Sequence, residues 1–559
     1  MKRFRRLLLM LPVLAAVSCI RNDIPYPVVV LEILGVAGEG FTCEASDIDT
    51  KNNIVTLHLA ETTDISRVRI DSIALTEGAT ASIPLSGEFD LRADLPVVLS
   101  LYQDYEWTLR AEQTITRVFT VEGQIGAAEF DTDLRTARVN VPEGTDLNDI
   151  RVTELKLGPE GITTMTPAPE ELTSFETYRT VDIRYHDFEE RWILYVVPTD
   201  IKVELTGADA WTRLVWLYAQ GRPGTALGFR YRVQGAGEWS EVPAEKVETE
   251  GGTFRACLSG LEPLTTYEVV AYSDEELSAV ETVTTGAEVP LVNGGFEEWC
   301  TEGGIVYPGL SKEGIFWDTG NTGAAIAGAT LTDKTSDVRP GSDGQYAAKL
   351  ESKLAGIAGV GRLAAGNLFV GRYVATRGTN GIVGFGRPFA VRPTALKGWV
   401  KYQCGEITDV GTTQPPGVTL SKGDPDNGII YFALGTWTKE EYGVCEKEEG
   451  DKLVGTDEVP ICVDTRDRNT FFSPDSPAVV AYGELVLDRS VTEWQEFTIK
   501  LDYRATDIVP THIVLVCSAS RYGDYYTGSR NSILWVDDFE LVYDECCLLY
   551  TSDAADDKA

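Results

Sequence analysis

The sequence contains an internal repeat with a period of about 85 residues. Each copy has two stretches in which apolar and polar residues alternate, followed by an aromatic stretch. These stretches cover residues 53–60, 64–70 and 105–109 in the first copy, and 136–142, 149–155 and 191–196 in the second. Strict alternation is typical of half-buried strands. We therefore predict two small β-sandwiches, at residues 28–115 and 116–202.

The segment that follows, residues 203–287, carries a motif of its own. Its sequence Leu-Glu-Pro-Leu-Thr-Thr-Tyr at 261–267 resembles the fibronectin type III pattern, in which the tyrosine hydroxyl ties a corner of the sandwich to upstream backbone. Tyr267 is the residue expected in that role. The two repeats before it resemble the immunoglobulin-like modules of bacterial surface lipoproteins, so three sandwiches are expected in tandem.

Residues 291–545 form the largest predicted unit. Short alternating runs recur between long glycine-rich loops, and no amphipathic helix of more than a few turns is visible. These features predict an all-β fold that ends in a large jelly-roll sandwich. Residues 291–299 and 532–543 at its two ends also alternate, and each contains acidic residues among aromatic ones. First and last strands of jelly rolls often lie side by side, so we expect these two stretches to meet.

The N-terminus has the pattern of an exported lipoprotein. A basic start at residues 2–6 and an apolar run at 7–17 predict a signal peptide over residues 1–18. The following Ala-Val-Ser-Cys resembles a bacterial lipobox, which implies that Cys19 is lipidated and anchors the protein. Residues 19–27 are predicted to be an extended tether. Residues 547–559 resemble a sequencing-adaptor read-through and are excluded from the fold prediction.

Charge and cysteine content limit the partners and the type of site. The formal net charge of −37 repels nucleic acid and anionic lipid headgroups, so the lipid anchor is the one expected link to a membrane. The cysteine spacings fit no zinc pattern. An exported protein can form disulfides, and Cys445 and Cys462, which bracket an acidic loop, are the predicted pair. Buried free thiols are expected for most of the others.

Several motifs of the C-terminal block resemble a known family. They lie, in order, at residues 293–299, 316–321, 364–371, 385–389, 392–399, 518–528 and 535–541. Together they resemble the PCMD family, the "putative carbohydrate metabolism domain" of Bacteroidetes lipoproteins. The resemblance implies a jelly-roll sandwich behind immunoglobulin-like modules, with a role connected to glycans.

The two ends of the block also resemble jelly-roll carbohydrate-binding modules that hold a structural calcium ion. In this resemblance Glu297 and Asp537 are the side-chain ligands, Gly295 supplies a carbonyl oxygen, and the loop 341–345 contributes further. Oxygen atoms of this kind are the ligands that calcium prefers. The alternative is that backbone N–H groups satisfy both carboxylates.

Sugar rings stack on aromatic side chains while polar groups fix their orientation. The residues predicted to contact a ligand on this basis are Trp317, Asp318, Asn321, Arg521, Tyr522, Tyr525 and Tyr526. Asp318 and Asp524 are the weak candidates for a catalytic carboxylate pair of the glycosidase type, which requires a separation of about 5–10 Å. No hydrolase elbow, zinc-protease or phosphate-loop motif is present in the sequence.

These observations lead to one hypothesis and two alternatives. The first is a lipid-anchored outer-membrane protein, facing either the periplasm or the outside, whose jelly roll binds a polysaccharide or oligosaccharide without catalysis. The second is a glycoside hydrolase or lyase that uses jelly-roll carboxylates. The third is a surface adhesion or structural subunit that binds protein.

Overall fold

The computed structural model describes residues 30–44, 47–250, 252–357, 360–413, 415, 418–445 and 452–544. The predicted signal peptide and tether, including Cys19, and the tail 547–559 lie outside these residues. None of the helices among the described residues is long and apolar enough to cross a membrane. Strands dominate throughout, which confirms the predicted all-β class.

Residues 30–114 form one compact unit. Its strands build two sheets, in the order β1-β5-β7 and β2-β4-β9-β8-β6, with β3 beside β4. The core between them contains the fully buried Trp107, whose indole N–H donates to the Leu31 carbonyl at 3.1 Å. The strands are β1 Ile33–Glu39, β2 Phe41–Thr42, β3 Ile48–Asp49, β4 Ile54–Leu59, β5 Val68–Leu75, β6 Thr80–Ala81, β7 Gly87–Phe89, β8 Leu95–Ser100 and β9 Asp104–Gln113.

Residues 115–544 belong to a second compact unit, whose first part repeats the pairing of the first unit. Strand β12 pairs in parallel with the aromatic strand β16, as β4 does with β9, and β10 pairs with β13 as β1 does with β5. The shared pairing is what the sequence repeat predicts. The strands are β10 Val118–Val121, β11 Ile125–Asp131, β12 Thr136–Pro142, β13 Val152–Lys156, β14 Thr164–Thr166, β15 Arg179–Tyr185 and β16 Phe188–Thr199. A 3-10 turn covers Pro169–Glu171.

The third group of strands forms two facing sheets, β17-β18-β22-β21 and β20-β19-β23-β24, with β25 beside β23. The Tyr267 hydroxyl accepts a hydrogen bond from the Glu262 backbone N–H at 3.0 Å, which confirms the predicted tyrosine corner. The strands are β17 Val203–Ala210, β18 Leu214–Gly221, β19 Leu227–Val233, β20 Ser240–Glu241, β21 Val247–Glu250, β22 Thr253–Ser259, β23 Thr266–Ser273, β24 Glu276–Leu277 and β25 Glu281–Thr284. A 3-10 turn covers Ala244–Lys246.

The C-terminal sandwich packs a sheet of nine strands on a sheet of five. The larger has the order β40-β34-β33-β44-β37-β41-β43, with β28 beside β33 and β35 beside β44, and the smaller has the order β29-β30-β45-β36-β42. Alternate residues such as Leu350 and Val536 from one sheet, and Leu368 and Ile430 from the other, fill the core between them. Three two-stranded pairs, β26–β27, β31–β32 and β38–β39, lie outside the two sheets.

The strands of this sandwich are β26 Cys300–Glu302, β27 Ile305–Tyr307, β28 Trp317–Asp318, β29 Thr332–Thr335, β30 Ala347–Glu351, β31 Lys353–Ile357, β32 Val360–Ala364, β33 Asn367–Arg377, β34 Asn380–Phe385, β35 Arg387–Pro388, β36 Ala395–Gln403, β37 Gly428–Gly435, β38 Val444–Cys445, β39 Lys452–Leu453, β40 Ile461–Asp464, β41 Val479–Leu487, β42 Val491–Lys500, β43 Asp502–Tyr503, β44 His512–Ser518 and β45 Ile533–Val542. The helical segments are α1 Asn321–Ala324 and α2 Lys439–Tyr442, and 3-10 turns at Ala325–Ala327, Arg468–Thr470 and Gly523–Tyr525.

The opening stretch 291–299 differs from its prediction, because it is a turn and not a strand. Asn293 and Phe296 have positive φ values of 49° and 53°, which an extended strand does not allow. The Asn293 side chain bonds both the N–H and the carbonyl of Glu298, taking the place of a neighbouring strand. The expected meeting of the two ends nevertheless occurs, since Phe539 N–H of β45 donates to the Gly294 carbonyl at 2.8 Å.

The third and C-terminal sandwiches share one hydrophobic core. Trp211, which directly follows β17, is 2 % exposed and packs on Tyr503 with ring centroids 4.4 Å apart. The buried guanidinium of Arg392 lies over the Trp211 ring and forms two hydrogen bonds with the Asp209 carboxylate, at 2.8 and 3.0 Å. This contact ties the two sandwiches together.

The cysteines follow their prediction in part. Cys445 and Cys462 form a disulfide, as expected from the loop that they bracket. Cys517 is a buried free thiol, and Cys43, Cys300 and Cys404 are half-buried and free. Cys257 is the exception, because it is disulfide-bonded.

Candidate functional site

A cavity of about 420 Å³ lies on the side of the nine-stranded sheet that faces away from the core between the sheets. Alternation puts Leu368, Ile430 and Leu515 into that core, so their neighbours point to the other side. The side chains that consequently line the cavity come from β33, β34, β37 and β44 and include Phe369, Val383, Phe385, Ile429, Tyr431 and Val516. The remaining lining comes from α1 and its following turn, the β31–β32 hairpin, and the loops around 376–381 and 521–526.

Tyr526 is the aromatic residue that the loop after β44 presents to this cavity. Its backbone adopts the left-handed conformation, with φ 55°, at the end of the turn Gly523–Tyr525. Its hydroxyl hydrogen-bonds Thr465 at 2.6 Å and donates to Asn380 at 2.8 Å, and these two residues belong to different segments of the wall. The guanidinium of Arg362 lies 4.5 Å from the ring centroid. The ring position is therefore fixed before any ligand arrives.

Asp524 and Tyr431 also line the cavity, and both have unused hydrogen-bonding groups. Neither side chain has a hydrogen-bond or ion-pair partner among the described residues. The Asp524 side chain is open to solvent, yet the surrounding protein raises its pKa to about 6 by desolvation. Burial raises the pKa of Tyr431, and the Asp524 charge adds to the shift, so its hydroxyl remains a donor at neutral pH.

Comparison with known families identifies the sandwich that carries this cavity. Residues 295–542 match the family model described as "Putative carbohydrate metabolism domain", abbreviated PCMD. This part of the chain is a PCMD domain. The match confirms the resemblance drawn from the motifs of the sequence.

Among solved structures, the chain is similar to two proteins that are each called a putative glycoside hydrolase. For the one from Bacteroides thetaiotaomicron the identity is 16 %, with 93 % of this chain and 99 % of that chain covered and a TM-score of 0.30. For the one from Bacteroides vulgatus the identity is 21 %, with 44 % of this chain and 89 % of that chain covered and a TM-score of 0.28. A CBM22 tandem domain from Paenibacillus barcinonensis matches with 9 % identity over 69 % of this chain and 92 % of that chain, at a TM-score of 0.14. No curated protein matches the chain.

Three of the predicted ligand contacts of the PCMD domain are structural residues, and their prediction has to be corrected. Trp317 has no exposed surface, and its indole N–H donates to the Val292 carbonyl. The buried Asp318 carboxylate accepts backbone N–H groups of Thr319 and Tyr373, both at 2.7 Å. Buried Asn321 uses its amide to hold the backbone of neighbouring segments. A side chain enclosed in this way cannot contact a bound sugar.

Of the four ligand contacts predicted in the loop after β44, only two line the cavity. Tyr526 and Arg521 line the cavity, whereas Tyr522 and Tyr525 are not among its lining residues. Arg521 lies over the Tyr522 ring, and Tyr525 packs edge-on against Phe471 with centroids 5.1 Å apart. The loop therefore contributes to the cavity, but only some of its predicted side chains face it.

The proposed carboxylate pair of Asp318 and Asp524 is also not assembled as one site. Asp524 faces the cavity, while both oxygens of Asp318 are taken by backbone N–H groups inside the fold. Burial raises the pKa of Asp318 to about 6, so its raised pKa reflects enclosure and not a catalytic environment.

Arg362 and Tyr431 are among the cavity residues that were not selected from the sequence. Arg362 lies in a hairpin whose sequence has no distinctive motif, so nothing pointed to it. Tyr431 lies in the stretch Ile-Ile-Tyr-Phe, which was recognised only as a strand. Its alternation with the core residues Ile430 and Phe432 could have placed its side chain on the opposite face of the sheet.

The predicted calcium ligands lie together at the junction between the opening turn and β45. Both oxygens of Glu297 accept backbone N–H groups from the loop that was expected to contribute, at 2.9 to 3.0 Å. Asp537 is fully buried and accepts the backbone N–H groups of Arg339 and Asp538. The Arg339 side chain pairs with Asp538 at 2.5 Å. Among the described residues, no group of three or more His, Cys, Asp or Glu side chains is arranged to hold a metal ion.

These contacts satisfy Glu297 and Asp537 within the protein, so calcium stays a prediction that a direct measurement must decide. We expect calcium added to chelator-treated full-length protein to raise its melting temperature by about 3 °C or more, because a ligand bound only to the folded state stabilises that state. Magnesium serves as the control ion, since it requires a tighter octahedral geometry. An unchanged melting temperature would show that N–H donors and Arg339 alone complete this junction.

Proposed function

We propose that this protein is a lipid-anchored component of the cell envelope whose PCMD domain binds carbohydrate in the cavity beside the nine-stranded sheet, without cleaving it. The observation that carries the proposal is the composition of that cavity. Its lining combines aromatic side chains, Phe369, Phe385, Tyr431 and Tyr526, with apolar residues and with polar side chains such as Arg362 and Asp524. Small-molecule sites commonly have this construction and a volume of this order.

The membrane part of the proposal is supported by the sequence alone. A basic and apolar leader followed by a lipobox-like cysteine favours acylation of Cys19 and retention at the outer membrane, on the periplasmic or the outer side. Mass spectrometry of the protein from membranes tests this part, because acylation adds several alkyl chains to an N-terminal cysteine.

Binding without catalysis is favoured by the carboxylates of the cavity. Glycoside hydrolysis generally uses two carboxylic groups on either side of the bond that is cleaved. Of the described residues that line the cavity, Asp524 is the one carboxylate. A hydrolase or lyase remains the alternative outcome, and release of reducing sugar from a polysaccharide would demonstrate it.

The Tyr526→Ala variant tests the site. We expect it to weaken binding of an oligosaccharide to the full-length protein by about tenfold or more, because loss of the ring removes the stacking surface. Tyr526→Phe should bind with a smaller loss, since the ring remains and only the hydroxyl contacts to Thr465 and Asn380 disappear. Isothermal titration calorimetry measures both variants after a glycan-array screen has identified a ligand.

Tyr522→Ala is the matched control, because Tyr522 belongs to the same loop and does not line the cavity. Equal losses in Tyr522→Ala and Tyr526→Ala would place the sugar elsewhere. An array without any bound glycan would contradict carbohydrate binding, and a pull-down of an envelope protein in that case would support the adhesion alternative.

A further inference from the structure

The cavity contains a negative charge that the protein itself does not neutralise. Asp524 is followed by two tyrosines and preceded by a glycine, and no described residue donates a hydrogen bond to its carboxylate. The carboxylate is exposed on the wall of the cavity, and desolvation by the surrounding protein raises its pKa. A ligand with a cationic group could therefore pair with this carboxylate without displacing an internal partner.

The nearest candidates for an internal partner are used elsewhere. Arg521 is adjacent to the loop but bonds Glu484 at 3.4 Å and lies over the Tyr522 ring. Arg362 lies over the Tyr526 ring and reaches toward Asn380. Neither guanidinium comes within ion-pair distance of Asp524 among the described contacts.

Three tyrosines lie close to Asp524. The charge of Asp524 contributes to the raised pKa of the hydroxyls of Tyr431, Tyr525 and Tyr526, after burial as the main cause, which places all three rings near the carboxylate. Of these, Tyr431 and Tyr526 line the cavity. A carboxylate beside aromatic faces suits an ammonium group, which gains a charge-assisted hydrogen bond and a favourable interaction with the rings.

We propose that the cavity of the PCMD domain prefers an amino sugar with a free ammonium group, which pairs with Asp524 beside Tyr431 and Tyr526. The inference rests on the proposed carbohydrate binding and adds the chemical class of the sugar. An N-acetylated sugar has no such charge, and an acidic sugar would bring a second negative charge to the carboxylate. Both are therefore expected to bind less tightly than the amino sugar.

The experiment compares sugars that differ in one substituent. Full-length protein is titrated at pH 7 with glucosamine, galactosamine and mannosamine, with the N-acetyl form and the neutral parent of each, and with glucuronic acid. We expect at least one amino sugar to bind about tenfold more tightly than its neutral parent and its N-acetyl form. The Asp524→Asn variant should lose that preference and keep its affinity for the neutral parent within a few-fold.

Asp475→Asn is the matched control, since Asp475 is an exposed carboxylate of the same domain that does not line the cavity. It should leave the preference unchanged. If wild-type protein binds each amino sugar no better than its parent, or if Asp524→Asn retains the preference, the inference is overturned while carbohydrate binding stands. If no sugar binds at all, the proposed function itself fails. The wild-type comparison remains decisive even if Asp524→Asn does not fold.

Discussion

Replacement of Arg392 by alanine is expected to lower the free energy of unfolding of the unit 115–544 by about 3–5 kcal/mol. Arg392 is 7 % exposed, and its guanidinium forms two hydrogen bonds with Asp209 and donates to the carbonyls of Thr506 and Ala210. Its loss removes the charged partner of Asp209 and the donor to the Ala210 carbonyl, and it leaves the Asp209 carboxylate and the Thr506 carbonyl with the Trp211 indole N–H as their remaining side-chain donor. It also removes the contact over the Trp211 ring.

Urea unfolding followed by tryptophan fluorescence measures this effect, because Trp211 lies at the junction. Arg213→Ala is the matched control, since the Arg213–Glu288 pair is more exposed and such pairs contribute about 0–1 kcal/mol. The double variant Asp209→Ala/Arg392→Met should be less destabilised than Arg392→Ala, as no charge remains unpaired. A loss below about 1 kcal/mol for Arg392→Ala would mean that apolar packing alone joins the two sandwiches.

Asp426→Ala is the second substitution with a large expected effect, at about 3 kcal/mol or more of lost stability. The buried carboxylate accepts hydrogen bonds from the Ser520 hydroxyl at 2.6 Å, the Ser532 hydroxyl at 2.8 Å, the Ser529 N–H at 2.7 Å and the Asn427 N–H at 2.9 Å. These donors come from the residue before β37 and from the long loop before β45. Removal of the acceptor would leave the two N–H groups and the Ser532 hydroxyl without this buried acceptor, while the Ser520 hydroxyl still has the Ser352 hydroxyl at 2.8 Å.

The same group should make stability depend on pH. Burial raises the pKa of Asp426, and the four hydrogen bonds lower it only in part. Because the pKa is higher in the folded than in the unfolded state, the stability that this group contributes is complete below about pH 4 and is lost as the pH rises through the folded pKa. Asp426→Asn, which cannot ionise, should lose less stability than the wild type as the pH rises above about 4. Asp424→Ala is the control, because its half-buried carboxylate accepts the Ser421 N–H and none of the four donors that bind Asp426. A pH profile of Asp426→Asn identical to that of the wild type would contradict the argument.

The fold could be predicted from the sequence largely because strand formation depends on a local pattern. The alternation in residues such as 136–142 and 395–402 marked strands that the structure contains, and the tyrosine corner at Tyr267 followed from a short motif. The stretch 291–299 shows where the local pattern fails. It alternates as a strand would, but the Asn293 side chain and two positive φ values turn the chain.

The candidate site was predicted less well, because aromatic residues have the same sequence signature in a core and in a binding cavity. Trp317 and Tyr526 were chosen by the same argument, yet one is enclosed between the sheets and the other lines the cavity. Which of the two happens depends on how the strand or loop is oriented toward the rest of the fold. Tyr431 was missed for the same reason.

The sequence by itself determined the all-β class, the duplicated N-terminal sandwiches, the Cys445–Cys462 pair and the family of the C-terminal domain, since these depend on periodicity, spacing and motifs. Tertiary structure alone decided which polar groups are satisfied. Asp318 and Asp524 are both aspartates beside aromatic residues, but only Asp318 accepts a backbone N–H from a distant strand, that of Tyr373 in β33, besides the N–H of its neighbour Thr319. Among the described residues no backbone N–H from a distant strand is paired with the Asp524 carboxylate, which lines the cavity, and long-range packing of this kind is not encoded in any local stretch of the chain.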